Sequence, residues 1–345
     1  MNRTQITAGR DAHHRPRGVA AEELRRHNLA AVVESLHLHG PTSRSELTAT
    51  TGLNRSTIAD LIGELTILGL VEEGPAVAPS GPGRPSPTVS TRPQGAVVLS
   101  IELSVDSVAV ATVGLGGHVY RQVRVPRPRG ESPAETIHVV AGLSGELLAD
   151  LPADSTLTGV GVGVAGVTRR SDGFVQLAPN LGWRNVAVGE MLADALGLDD
   201  PVLVANEADL GALAEYRRGG VGAGVHHLIY ISGEAGIGAG IIHDGKPMLG
   251  AAGYAGEAGH TLINPDGLAC RCGATGCWET EAGEAALARR AGIQSGIIGL
   301  ELMDTIVARA DAGDQKTLDA IGEIGRWLGL GIGNLINVFN PQLVV

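Results

Sequence analysis

Cysteine and aromatic residues are scarce in this chain, and each shortage closes off a class of protein. Three Cys in 345 residues cannot pair completely. Two of them, Cys270 and Cys272, are separated by one residue. A disulfide scaffold is therefore ruled against, and a reducing, cytoplasmic home is expected. Only 2 Phe, 3 Trp and 4 Tyr are present. That leaves too few rings to stack successive bases, which argues against a single-strand nucleic-acid binder. No stretch reaches the roughly 18 consecutive apolar residues of a membrane span. The first residues carry Arg and His but no apolar run, so neither a secretory signal nor a membrane partner is expected. Glycine, by contrast, is abundant at 51 residues, and an apolar share of 43% excludes wholesale disorder.

Lysine is missing from residues 1–95, which hold 10 Arg against 9 acidic residues, a net charge of +1. The remainder holds 16 basic and 28 acidic residues, a net charge of −12. Such a body repels phosphate, so nucleic acid is expected at the head. Residues 1–20 read as a polar, disordered lead-in. Leu29, Val32, Val33 and Leu36 recur at i, i+3, i+4, i+7 and form one apolar helix face. Gly40-Pro41 ends that helix. Ser43 and Glu46 form a capping box for a short helix that carries Leu47 and ends at Gly52. Asn54 caps a third helix, with Ile58, Leu61, Ile62, Leu65 and Leu68 on its apolar side.

Helix, glycine turn, helix is the helix-turn-helix order, whose second helix enters the major groove of double-stranded DNA. The expected contacts are Asn54, Arg55, Ser56, Thr57 and Asp60, with Arg44 holding a phosphate. The alternative is a three-helix packing module whose polar face is merely solvated. Leu70-Val71-Glu72-Glu73 reads as the first strand of a wing. Six prolines within 74–94 predict no regular structure there. Arg84, inside Gly81-Pro82-Gly83-Arg84-Pro85, is placed to enter a minor groove; the bland reading is an exposed hinge residue. The head is thus a winged helix-turn-helix domain at 21–80, followed by a Pro/Gly linker at 81–95.

From Ala96 the pattern changes to period two and to Val/Ile-rich runs. Strands are predicted at 96–104, 106–114, 118–125, 157–165, 201–205, 226–233 and 237–243. Helices are predicted at 134–150, 186–197 and 207–218, with mostly helix from 279. The alternation makes an α/β body. Its strongest chemical signal is Cys270, Cys272 and Cys277 with His260 upstream. Three thiolates and one imidazole complete a tetrahedral set for structural Zn2+ and leave no open position. Glu257 and Glu279 flank the set, and carboxylates beside an imidazole suit sugar hydroxyls, which both donate and accept hydrogen bonds.

These residues together resemble the ROK family (repressors, open reading frames and sugar kinases). The resemblance rests on SRSELTATTGLNRSTIADLIGELTILGLVEE, GRP at 83–85, APNLGW at 178–183 and ANEADLGALAE at 205–215. It continues in GIGAGIIHDGKP at 236–247 and GEAGHTLINPDGLACRCGATGCWETEAG at 256–283. It implies an actin-like (ribonuclease H-like), two-lobed sugar kinase fold, here with lobes at 96–205 and 206–345. It also implies a winged helix-turn-helix in the repressor branch and assembly as a homodimer or homotetramer. Carried over by motif, the sugar site comprises Gly166, Asn180, Asn206, Glu207, Glu257, His260 and Glu279. The zinc ligands are His260, Cys270, Cys272 and Cys277, so His260 serves both.

In the resembling kinases an Asp follows the cleft Asn; here Glu207 stands at that position for the catalytic base. A longer side chain shifts the carboxylate by about 1.5 Å, enough to cost ~100-fold in rate. The first phosphate loop, Asp-x-Gly-x-Thr in kinases, reads Glu102-Leu103-Ser104-Val105-Asp106, and the second carries Glu234. Acids at both loops oppose ATP. The expectation is a sugar-responsive DNA-binding regulator of carbohydrate metabolism, a repressor without kinase activity. The alternatives are an ATP-dependent, glucokinase-like sugar kinase with a DNA-binding head, and a DNA-binding scaffold with a vestigial pocket. The last residues, Gln342-Leu343-Val344-Val345, begin a strand that relatives follow with a Gly-Gly turn and further helices. The fold is therefore expected to be incomplete at that end, leaving this strand without neighbours.

Overall fold

Three helices and a small sheet build the head in the computed structural model, which describes every residue except 1–20, 78–85, 129, 200–201, 223, 234, 295–296 and 298. Helix α1 (Ala21–His39) is followed by the two-residue strand β1 (Thr42–Ser43), α2 (Arg44–Thr51) and α3 (Arg55–Ile67). Ser43 caps α2 reciprocally. Its hydroxyl accepts from Glu46 N at 3.2 Å, while its own N–H donates to the Glu46 carboxylate at 2.8 Å. The Asn54 carbonyl accepts from Thr57 N at 2.9 Å and starts α3. Val32, Leu36, Leu47, Ile58, Leu61, Ile62 and Leu65 then close on one another as the head's core. Leu68, expected on this apolar face, is instead 58% exposed. It caps the C-terminal end of α3, where the chain is already turning away.

Strands β2 (Val71–Val77) and β3 (Ser86–Thr91) complete the head, in the sheet order β1-β3-β2. The expectation of no regular structure across 74–94, and of a linker over 81–95, is corrected here. The pairing slips between Glu73 and Ala76, so Gly74-Pro75 sit in a bulge. Proline is tolerated at a bulge because no ladder N–H is needed there. Pro87 lies beyond the short reach of β1, which pairs only at Val89 and Thr88. The chain divides into two contact units between Thr91 and Arg92.

The second unit starts with an antiparallel meander, β4 (Val97–Leu103), β5 (Ser107–Gly114) and β6 (Val119–Pro126). Helix α4 (Pro133–Ala149) leads to β7 (Leu157–Val164), which lies parallel to β4. Three short strands follow that the sequence reading missed: β8 (Val167–Arg169), β9 (Phe174–Ala178) and β10 (Trp183–Val186). Runs of three to five residues broken by glycine turns carry too little alternation to register. Helix α5 (Val188–Leu196) precedes β11 (Leu203–Asn206), giving a five-stranded sheet ordered β11-β7-β4-β5-β6. In β4, Val97, Leu99, Ile101 and Leu103 are buried with Ile137, Val140, Val188 and Leu192 of α4 and α5. Val98 and Ser100 point to the opposite, open face.

Helix α6 (Glu207–Arg218) packs on β12 (Leu228–Gly233) and β13 (Ile237–His243). These belong to a four-stranded sheet with β14 (Lys246–Pro247) and β15 (Leu343–Val344), ordered β14-β13-β12-β15. Between β14 and β15 run α7 (Trp278–Ala282), α8 (Glu284–Ala291), α9 (Gly299–Asp311) and α10 (Gln315–Phe339). The final strand, expected to stand alone, pairs in parallel with β12, Leu343 opposite Leu228 and Val344 opposite Ile229. Trp278 is fully buried where α7 meets α10, and its indole N–H donates to Trp327 O at 2.9 Å.

The capping box gives the head a local test. Ser43→Ala removes the acceptor for Glu46 N and should destabilise the head by about 1 kcal/mol. Amide exchange in α2 should accelerate, while exchange in α6 and β12 stays unchanged.

Candidate functional site

A pocket of about 260 Å³ in the second unit is lined by Gly166, Asn180, Asn206, Glu207, Glu257, His260 and Glu279. All seven residues singled out from the sequence as a sugar site therefore converge, from five separate segments of chain. Each is held by the local fold. Asn206 ends β11 and caps α6: its carbonyl accepts from Ala208 N at 2.7 Å, and its amide donates to Gly166 O at 3.0 Å. Glu207 follows as the first residue of α6. The turn Ala258–His260 is pressed onto β13, where a Cβ on Gly259 would lie 2.1 Å from Ile237 O. A Cβ on Gly236 would lie 2.0 Å from the Glu279 carboxylate, so glycine there gives Glu279 its place.

Burial raises the Glu257 carboxyl above its ordinary range; His260 opposes the shift and Glu279 adds to it. Asp209, in the first turn of α6 and 6% exposed, is pushed by burial up to about 6, against Arg170 and with help from Glu257. Sequence reading missed Asp209, although its spacing from Asn206 turns it towards the same side of α6. It also missed Arg271, which donates from the cysteine loop to the Asn180 carbonyl at 2.8 Å. With that carbonyl occupied, the Asn180 amide offers its N–H groups. Carboxylate acceptors alternating with amide donors and an imidazole match a polyhydroxylated, uncharged ligand better than an anion.

Behind the pocket, His260, Cys270, Cys272 and Cys277 bring one donor atom each within 4.8 Å of all the others. Cys270 Sγ is 3.6 Å from His260 Nδ1, and Cys272 Sγ is 3.7 Å from Cys277 Sγ. A tetrahedral Zn2+ with Zn–S of about 2.3 Å and Zn–N of about 2.0 Å spaces its donors by about 3.5–3.8 Å, so the set fits. Burial pushes the Cys270 thiol up, and burial with the neighbouring sulfurs pushes Cys277 up to about 12. Crowded thiols of this kind ionise when a cation joins them.

A larger groove of about 1180 Å³ runs over the open face of β4, β7 and β11 and meets the pocket at Glu207 and Ser232. At its edge Ser104 is buried and donates to Glu102 at 2.7 Å, and Arg124 holds the same carboxylate at 3.0 and 3.1 Å. Asp106 is exposed beside them. Glu234 lies outside the described residues.

In the head, Arg55, Ser56 and Asp60 are exposed on the first turns of α3, with Thr57 half-buried. Asn54 is committed to the cap, where it also accepts from the Ser56 hydroxyl at 2.7 Å. Arg44 is ion-paired with Glu73 of β2 at 2.5 Å, which ties α2 to the hairpin. Arg84 lies outside the described residues.

Two outcomes follow. Burial makes Asp209 hold its proton more tightly in the folded chain than at the ordinary carboxyl value of 3.8, so it is a proton-binding site of the native state. Its share of stability is therefore present below about pH 4 and lost as pH rises to about 6. Asp209→Asn should raise the urea midpoint of this unit at neutral pH and flatten its decline across that window. Separately, if the cysteine set holds zinc, Cys272→Ser should lower the zinc content of the purified protein, measured by elemental analysis, and make its unfolding less sensitive to a chelator.

A sequence model of the ROK family matches residues 98–345. The xylose repressor of Caldicellulosiruptor bescii is 33% identical over 334 residues, covering 93% of this chain and 83% of that protein. A glucokinase of Halalkalibacterium halodurans is 30% identical over 263 residues, covering 72% of this chain and 78% of that enzyme. The crystal structure of a ROK family transcriptional regulator, a homologue of the Escherichia coli Mlc protein, matches with a TM-score of 0.71 at 29% identity. That match covers 93% of this chain and 83% of the other. With the family match spanning most of its length and a repressor covering nearly all of it, this chain belongs to the ROK family and its body has that family's actin-like sugar kinase fold.

Proposed function

We propose that this protein is a sugar-responsive transcriptional repressor of carbohydrate metabolism. Its pocket would bind the sugar and its head would bind double-stranded operator DNA. The observation that carries this reading is the convergence of Asn180, Asn206, Glu207, Glu257, His260 and Glu279 on one pocket. The similarity to a xylose repressor and to a ROK regulator over nearly the whole chain supports it. The head would act as a winged helix-turn-helix, with α3 in the major groove and the β2–β3 hairpin as the wing. Arg55, Ser56, Thr57 and Asp60 would face base edges. Asn54 and Arg44 would support that face through the cap and the Glu73 pair, and Arg84 would reach the minor groove. A homodimer or homotetramer would place two heads on half-sites about one helical turn apart. Structural Zn2+ on His260, Cys270, Cys272 and Cys277 would brace the loop and fix the orientation of the His260 ring.

The absence of kinase activity belongs to the same proposal. Glu102, Ser104, Ser107 and Arg124 are joined by hydrogen bonds of 2.7–3.1 Å. The loop that would meet phosphate thus spends its polar groups on itself, and Asp106 adds a negative charge there. The second reading, a glucokinase-like enzyme, draws on Glu207 standing where pocket and groove meet and on the glucokinase relative.

Selection of DNA sequences by the purified protein, repeated with a panel of pentoses, hexoses and N-acetylhexosamines, tests the reading. A recovered palindrome whose occupancy changes with one sugar is expected, with no sugar-dependent ADP release. Glu257→Gln should weaken the sugar by roughly 10- to 100-fold, the worth of a hydrogen bond to a charged group, and leave sugar-free DNA binding intact. DNA binding indifferent to every sugar, or sugar-dependent ADP release at ordinary turnover, would each refute it.

A further inference from the structure

His227, His243 and Asp244 form a second cluster of metal-ligating side chains, sharing no residue with the cysteine set. The antiparallel register of β12 and β13, Leu228 opposite Ile242, sets His227 and His243 side by side at the end of the ladder. Their Nδ1 atoms are 3.2 Å apart. His243 is also the last residue before a two-residue hairpin, closed by its pairing with Lys246. Both turn residues, Asp244 at φ 49° and Gly245 at φ 73°, are left-handed. A tight hairpin of this kind needs two such residues, and Asp is among the few side chains that accept the conformation. The turn carries the Asp244 carboxylate back to the rings, 3.3 Å from His227 Nε2 and 3.7 Å from His243 Nε2. One donor atom from each of the three side chains lies within 4.8 Å of the other two.

The backbone beneath is fixed. Gly245 N donates to His226 O at 2.9 Å. Gln342, next to β15, accepts from His226 N at 2.6 Å and His227 N at 3.0 Å. The side chains remain reachable, His243 at 63% and Asp244 at 77% exposure. We infer that His227, His243 and Asp244 bind a divalent transition-metal ion, at a site independent of the cysteine set. A tetrahedral ion with Zn–N of about 2.0–2.1 Å spaces two nitrogens by about 3.3 Å, close to the separation the strands impose. Two imidazoles with one carboxylate select a borderline ion such as Zn2+, Ni2+ or Cu2+ over Mg2+ or Ca2+, which take oxygen donors. Water completes the shell on the exposed side. The ion joins the end of β12 to the β13–β14 turn, at the backbone that Gln342 also grips.

Untagged full-length protein, stripped of metal and titrated with Zn2+ against a chromophoric chelator at neutral pH, reads this directly. Two equivalents are expected, the second weaker. His227→Ala and His243→Ala should each abolish the second equivalent and keep the first, whereas Cys272→Ser should do the reverse. Loading with Co2+ separates the sites by spectrum: the cysteine set gives sulfur-to-metal charge-transfer absorption, and the histidine site adds weak ligand-field bands alone. A single equivalent in the wild type that both histidine variants retain, or a second equivalent that survives in both of them, overturns the inference. Loss of the first equivalent alone would count against the cysteine site and leave the histidine site standing.

Discussion

Backbone presses on backbone where the turn Ala258–His260 meets β13, and both the pocket and the thiol cluster hang from that contact. The 2.1 Å left for any Cβ on Gly259 means that glycine is the one residue that lets the turn lie so close. From there His260 takes up two positions at once: its Nδ1 faces Cys270, and its ring lines the pocket. Arg271 adds a second tie between the same two regions by gripping Asn180. The loop that gathers the cysteines is therefore also a wall support for the pocket, and neither can shift without the other.

The pocket weakens the fold that carries it. Glu257 and Asp209 are carboxylates raised by burial, so their charged forms oppose folding. Exposed pairs such as Arg25–Glu64 and Arg169–Asp172 return little, because water screens them. Stability rests on the buried branched residues of the five-stranded sheet and on Trp278 between α7 and α10. Strain of this sign is expected where residues are chosen for a ligand and not for the core.

Much of this was legible in the chain. Period-two runs located β4 to β7 and β11 to β13, and the head's helices announced themselves through Ser43, Glu46 and Asn54. The pocket residues were legible through motifs whose side chains cannot be replaced without changing their hydrogen bonding. What escaped had weak local signals. Strands β8 to β10 are too short for alternation to show. Proline obscured β2 and β3 because a bulge, invisible in composition, absorbs Pro75. The pairing of Arg44 with Glu73 spans 29 residues and forms only through the hairpin, so no local pattern encodes it. Asp209 and Arg271 depend on burial and on a contact across 91 residues, neither of which a local pattern encodes.

The pairing of β15 with β12 joins residues 115 positions apart, as does the grip of Gln342 on His227. On the ribosome, β12 and β13 emerge long before their outer neighbour exists. Until α10 and residues 340–345 have been synthesised, the edge of β12 presents unpaired backbone groups to anything nearby. An unpaired edge of this kind is where chaperones and misfolded partners engage a nascent chain. Synthesis of Leu343 and Val344 thus sets the moment at which this edge of β12 is covered.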